Sequence, residues 1–183
     1  MATADRIKKL RDKTKSAPTG IEKGGPALEK KVAAEADGKE PEIDPAAQAE
    51  LTRLIAMLEI GFLAAAADGE LADAELSNLA ENFCAWLQMD LSDEALTATF
   101  QMFADGIDEE GFEARLANAA GALDDGARDA AFALACVISA ADGAVEDDEL
   151  GALGDIAAAL GIAEEEAESR FNDILDQMEA AGG

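Results

Sequence analysis

An eleven-residue stretch occurs twice in this chain, 74 positions apart. Ala66-Ala67-Asp68-Gly69-Glu70-Leu71-Ala72-Asp73-Ala74-Glu75-Leu76 and Ala140-Ala141-Asp142-Gly143-Ala144-Val145-Glu146-Asp147-Asp148-Glu149-Leu150 agree at seven of eleven positions. Each copy closes an apolar run and opens an amphipathic one, so the repeating unit reads helix, acidic corner, helix. Two copies predict an internal pseudo-repeat within one fold.

Helical spacing surrounds both corners. Asp44-Pro45 is an N-cap followed by a first-turn proline, and Leu51, Leu54, Ile55, Leu58 and Phe62 then form one stripe to about Ala67. After the first corner come Leu76, Leu79, Ala80, Phe83, Trp86 and Leu87, again on one face. Ser92-Asp93-Glu94 caps a third helix with Leu96, Phe100 and Phe103, which Asp105-Gly106 is expected to end. A fourth carries Phe112, Leu116 and Leu123. The fifth, about 125–141, is apolar on every side between Ala130 and Ile138 and belongs in the middle of the fold. A sixth with Leu150, Leu153, Ala157 and Leu160 stops at Gly161, and a seventh carries Ala167, Phe171, Ile174, Leu175 and Met178. No alternating β-branched or aromatic run suggests a strand. The expectation is an all-α, compact bundle of about seven helices over residues 45–183. Residues 1–44, with Ala17-Pro18, Gly24-Gly25-Pro26, Pro41 and mixed Lys and Glu, read as a basic, mixed-charge flexible tail. Its start, Asp5 to Lys13, has Ile7 and Leu10 three apart and could lie as a helix on an acidic partner, an anionic membrane or its own domain.

Charge narrows the functional classes. The whole chain carries −26, and residues 45–183 hold 31 Asp and Glu against four Arg. A body of that sign repels nucleic-acid phosphates and anionic membranes, and attracts cations or basic surfaces over roughly 8 Å at physiological salt. The expected partner is a protein with a basic surface. Direct nucleic-acid binding is not expected, and membrane contact only indirectly or through the basic tail. Cys84 and Cys136 sit in apolar stretches as small buried residues, and the N-terminal stretch has no apolar core of a leader type, so a cytoplasmic location is expected.

The corners are the candidate site. Asp68, Glu75, Asp142 and Glu149 would converge if the two units pack face to face, and carboxylates about 6 Å apart repel by nearly 3 kcal/mol at an effective dielectric of about 20. Such a cluster calls for a divalent cation, calcium or magnesium given oxygen-only ligands, or for a basic partner. The same residues also serve as turn and first-turn residues without any ligand. An EF-hand is excluded: its first two ligand positions would fall on Ala64 and Ala66, or on Ile138 and Ala140, which lack side-chain oxygens.

The two Ala-Asp-Gly-x-[Leu/Val]-x-Asp-x-Glu-Leu segments, the Leu160-Gly161-Ile162 stop and the Glu-rich opening of the last helix resemble the TerB-like family of bacterial tellurite-resistance proteins. A domain of that kind also occurs in a DnaJ-like cochaperone. The similarity spans roughly residues 46–180. It implies a seven-helix, non-catalytic domain of stress-response systems with its acidic corners as metal ligands. Ala72 and Glu146 depart from the family's Ser or Thr helix caps, and the Lys-rich tail is a further departure.

Catalysis is not expected. The chain has no His and no Tyr, its Lys residues all precede residue 45, and Ser77, Ser92, Ser139 and Ser169 have no local base. The leading expectation is an interaction module, with or without a cation at the corners. The alternative is an acidic decoy or adaptor that docks onto the basic surface of a nucleic-acid-binding or other protein.

Overall fold

The computed structural model describes residues 3–13, 18–67, 69, 71, 73–141, 145 and 147–182. Among them lie nine helices and no strand: α1 (Thr3–Lys13), α2 (Gly24–Ala36), α3 (Pro45–Ala65), α4 (Asp73–Leu87), α5 (Asp93–Glu110), α6 (Phe112–Gly121), α7 (Asp125–Ser139), α8 (Asp147–Ala159) and α9 (Glu164–Gly182). The seven from Pro45 onward are the seven that the apolar spacing predicts. No helix among the described residues is long and apolar enough to cross a membrane.

Local chemistry accounts for the helix starts. The Asp44 carboxylate accepts the Ala46 and Ala47 N–H groups at 3.1 Å each, and Pro45 supplies a fixed φ at the first position. Those N–H groups hold the Asp44 carboxyl below its ordinary value. Asp124 caps α7 in the same way through Ala127 N–H at 2.9 Å. At its far end α4 stops on Gln88, whose φ of 50° lets Met89 N–H reach back to the Cys84 carbonyl.

Two helices form the spine. α3 and α7 make the most extensive helix pair, and α2, α6 and α8 gather around α3 while α8 and α9 lie against α7. The run from Ala130 to Ala140 is buried without interruption, as an all-round apolar helix requires. Phe62 of α3 stacks on Phe100 of α5 with centroids 5.6 Å apart, and Phe83 of α4 meets Phe100 edge-on at 5.7 Å. Offset and edge-on contacts of this kind add about 0.5–1.5 kcal/mol each beyond burial.

Three sequence expectations are corrected. Asp105-Gly106 does not end α5, which continues to Glu110 and breaks at Gly111 with φ 87°. The reason is tertiary: a Cβ at Gly106 would stand 2.9 Å from Arg115 Nε, so the glycine makes room for that arginine without breaking the helix. Leu150, counted on the buried stripe of α8, is 46% exposed, and Leu153, Ile156 and Ala157 carry the buried face instead. Leu123 lies beyond α6, in its connection to α7, although it is buried as expected.

More of the first 44 residues is helical than linker composition implies. Ile7 and Leu10 of α1 are buried against α4 and α9, and Gly24, Gly25, Ala27 and Leu28 of α2 are buried, chiefly against α3. The Glu29 carboxylate of α2 accepts Ser92 N–H at 2.6 Å and the Ser92 hydroxyl at 2.7 Å, at the start of α5. A negative group there satisfies a helix N-terminus and its dipole. Residues 39–44 then run without regular structure to the cap of α3.

Candidate functional site

The helices position the two corners, but only part of the predicted quartet is described. Asp68 and Asp142 lie outside the described residues, as does the side chain of Glu75, whose backbone sits in the first turn of α4. Glu149 occupies the first turn of α8 and is half-buried. Gly69 has φ 98°, the left-handed conformation that a helix-ending glycine supplies. The helices that lead into the corners, α3 and α7, are the central pair. Among the described residues, no group of three or more His, Cys, Asp or Glu is placed to hold a metal ion.

Next to the first corner the structure opens a groove of about 840 Å³. One wall is α4, through Leu76, Ser77, Ala80, Glu81 and Cys84, a single helical stripe. The opposite wall is α5, with Leu96, Phe100, Ala104 and Ile107. Phe62 of α3, its C-cap Ala66, and Gly69 and Leu71 of the corner also line it. The interior is therefore mostly apolar. Its polar groups include three exposed carboxylates, Glu81, Asp93 and Asp108.

The body's arginines do not balance this rim. Arg53 donates to the Gly20 carbonyl at 2.6 Å and pairs with Asp124 at 2.9 Å. Arg128 donates to the Leu123 carbonyl at 3.1 Å, and Arg170 joins Asp129 at 2.9 Å and Glu166 at 2.6 Å. Arg115 holds Glu59 at 2.6 Å and Glu110 at 3.1 Å. The acids that these arginines engage are thus other than Glu81, Asp93 and Asp108.

Among the described residues Glu59 is the most deeply buried charged group, its side chain 5% exposed beside Arg115. Burial raises the Glu59 carboxyl above its ordinary value, and the hydrogen bond and charge of Arg115 oppose that rise. Sequence reading missed this pair because 56 residues separate its members. A usable signal was present: with four arginines in so acidic a body, each has many acids to choose from, and one on an otherwise apolar helix marks an internal partner.

Cys136 matches its reading as a small buried residue, and Cys84 does not. Cys136 is fully buried, which pushes its thiol up to about 12. Cys84 is half-buried on the groove wall, and desolvation followed by the nearby Asp90 and Asp93 raises its thiol too. Both stay protonated at neutral pH, the unreactive form.

Compared with protein-family models, curated proteins and solved structures, the chain matches none.

Proposed function

We propose that this chain is a non-catalytic interaction module, of the kind its TerB-like corners resemble, that docks a basic amphipathic helix of a partner protein in the groove between α4 and α5. The observation that carries the reading is the combination of an apolar interior with a carboxylate rim that the body's arginines leave unbalanced. A helix laid in a groove offers apolar anchors on one face and flanking charges on the other. Lysines beside those anchors would meet Glu81, Asp93 and Asp108, while leucines would cover Ala80, Leu96 and Phe100. Acidic rims of this sort raise association rates and select partners more than they add affinity.

The test uses a fluorescein-labelled synthetic peptide with Leu recurring at i, i+3, i+4 and i+7 and Lys between, followed by anisotropy. A scrambled peptide of equal charge, lacking the apolar face, is the control. Reversing the rim with Glu81→Lys and Asp108→Lys is expected to weaken the first peptide about tenfold or more, equivalent to about 1.4 kcal/mol. Reversing two acids elsewhere, Asp148→Lys with Glu165→Lys, is expected to change it far less. Equal losses from both pairs, or equal binding of the scrambled peptide, would overturn the groove reading in favour of a diffuse acidic decoy.

A further inference from the structure

α1 carries Arg6, Lys8, Lys9, Arg11 and Lys13 against Asp5 and Asp12, the reverse of the charge on α4 and α9. It packs on α4, which holds acids and no base, and on α9, where seven acids accompany one arginine. Ile7 and Leu10 are fully buried in that seat while Lys8 and Lys9 face solvent. α4 packs more extensively on α1 than on α3 or α7. The helix that walls the groove is thus seated on α1 as well as in the core, where Phe83 meets Phe100.

The seat is small, although Ile7 and Leu10 join the core. Two large apolar side chains are the buried contribution of α1 among its described residues, against the ordering of an eleven-residue helix. Arg6 Nε is enclosed there without a hydrogen-bond partner, an arrangement that favours opening. The opposite net charges of α1 and of α4 and α9 add a longer-range attraction, which salt screens.

We propose that α1 is a reversible intramolecular ligand of the α4–α9 surface, and that its release loosens α4 and so reshapes the α4–α5 groove. The coupling is reciprocal: whatever stabilises α4 in its groove-walling position also favours the seated α1. The seat stands apart from the groove reading, since it rests on α1 packing; only the consequence for binding depends on the groove.

Hydrogen exchange on the full chain tests the proposal without any groove ligand. In the wild type, α1 amides are expected to exchange by local opening at least tenfold faster than those of α7, with the difference growing in 0.5 M NaCl. In the full-length Ile7→Asp/Leu10→Asp variant, α4 protection is expected to fall about tenfold or more while α7 keeps its own. A synthetic peptide of residues 1–13 added in trans should then restore α4 protection; the same peptide with both Asp substitutions should not. Unchanged α4 protection in the variant overturns the proposal, as does failure of the wild-type peptide to restore it. Loss of α7 protection together with α4 would make α1 an ordinary part of the core and overturn it equally. Should the variant not fold, the wild-type comparison decides: α1 exchanging at the rate of α7 refutes reversible docking. A groove peptide that fails to bind the wild type would refute the groove alone.

Discussion

Replacing Arg115 by Met isolates the buried pair and gives a stability loss whose pH dependence is fixed in advance. The variant keeps much of the side-chain volume but leaves Glu59 enclosed, with its side chain 5% exposed, and without the group that holds its carboxylate at 2.6 Å. An uncompensated buried charge of this kind costs about 3–5 kcal/mol. Glu59 has an escape, because it can take up a proton. Its ordinary value is 4.5, so protonating it at pH 7 costs about 3.4 kcal/mol, at about 1.36 kcal/mol per unit. The loss at pH 7 is therefore expected near 3 kcal/mol.

The sign of the pH effect follows from the raised Glu59 carboxyl. A folded-state value above the unfolded one means that the folded chain binds the proton more tightly, so stability falls as pH rises through the window above 4.5. Removing Arg115 extends that window upward. The difference between wild type and variant should shrink by up to about 1.4 kcal/mol for each pH unit below 7 and be small near pH 4.5. Urea unfolding followed by circular dichroism at several pH values measures it, and taking the difference cancels the general charge repulsion that both chains share. In a Glu59→Gln background the Arg115→Met change should cost less than about 1 kcal/mol. A loss independent of pH, or one equally large in the Glu59→Gln background, would refute the assignment of Arg115 as the counter-ion.

Three further outcomes are expected. Glu29→Ala removes both acceptors from Ser92 at the start of α5 and should lower stability by about 1–2 kcal/mol by urea titration; a neutral result would mean that α2 does not cap α5 in solution. Gly24→Ala places a Cβ 2.8 Å from the Glu50 carbonyl oxygen, a backbone atom that cannot swing away, so it should destabilise by about 1–3 kcal/mol despite alanine's better helix propensity; a gain in stability would show that α2 sits further from α3. Raising NaCl from 0.01 to 1 M contracts the screening length from about 30 to about 3 Å, so a chain of charge −26 should melt several degrees higher by calorimetry, and a lower melting temperature would mean that attractive pairs outweigh repulsion.

What could be read in advance was the chemistry confined to one turn of chain. Asp44-Pro45, Ser92 and the Ala130–Ile138 stretch announce two caps and the central helix, because capping and burial pattern act over three or four residues. Asp105-Gly106 misled because the same dipeptide that ends helices also provides clearance, and only the approach of Arg115 distinguishes the two uses. α2 gives little pattern because Gly24, Gly25 and Ala27, which it buries with Leu28, are small residues that permit close approach without hydrophobic periodicity. The groove is likewise not a motif. It arises where the α4 stripe of Leu76, Ala80 and Cys84 fails to meet α5, a gap set by tertiary placement. The corner quartet was the sharpest sequence feature, and of its four side chains Glu149 is the one the structure describes.

The arginines decide between two accounts of the acidic surface. If the acids served only to keep helices solvated, the few basic residues would be expected as local partners at i,i+4, worth about 0.3–0.5 kcal/mol each. Arg170 with Glu166 is one such pair. Yet Arg170 also reaches Asp129, 41 residues away, Arg115 reaches Glu59 across 56, and Arg53 joins Gly20 to Asp124, 33 and 71 residues distant. The basic side chains of the body thus tie separate helices together and leave the groove-rim carboxylates Glu81, Asp93 and Asp108 without an arginine partner among the described residues. The rim is therefore free to meet the basic helix proposed for the groove.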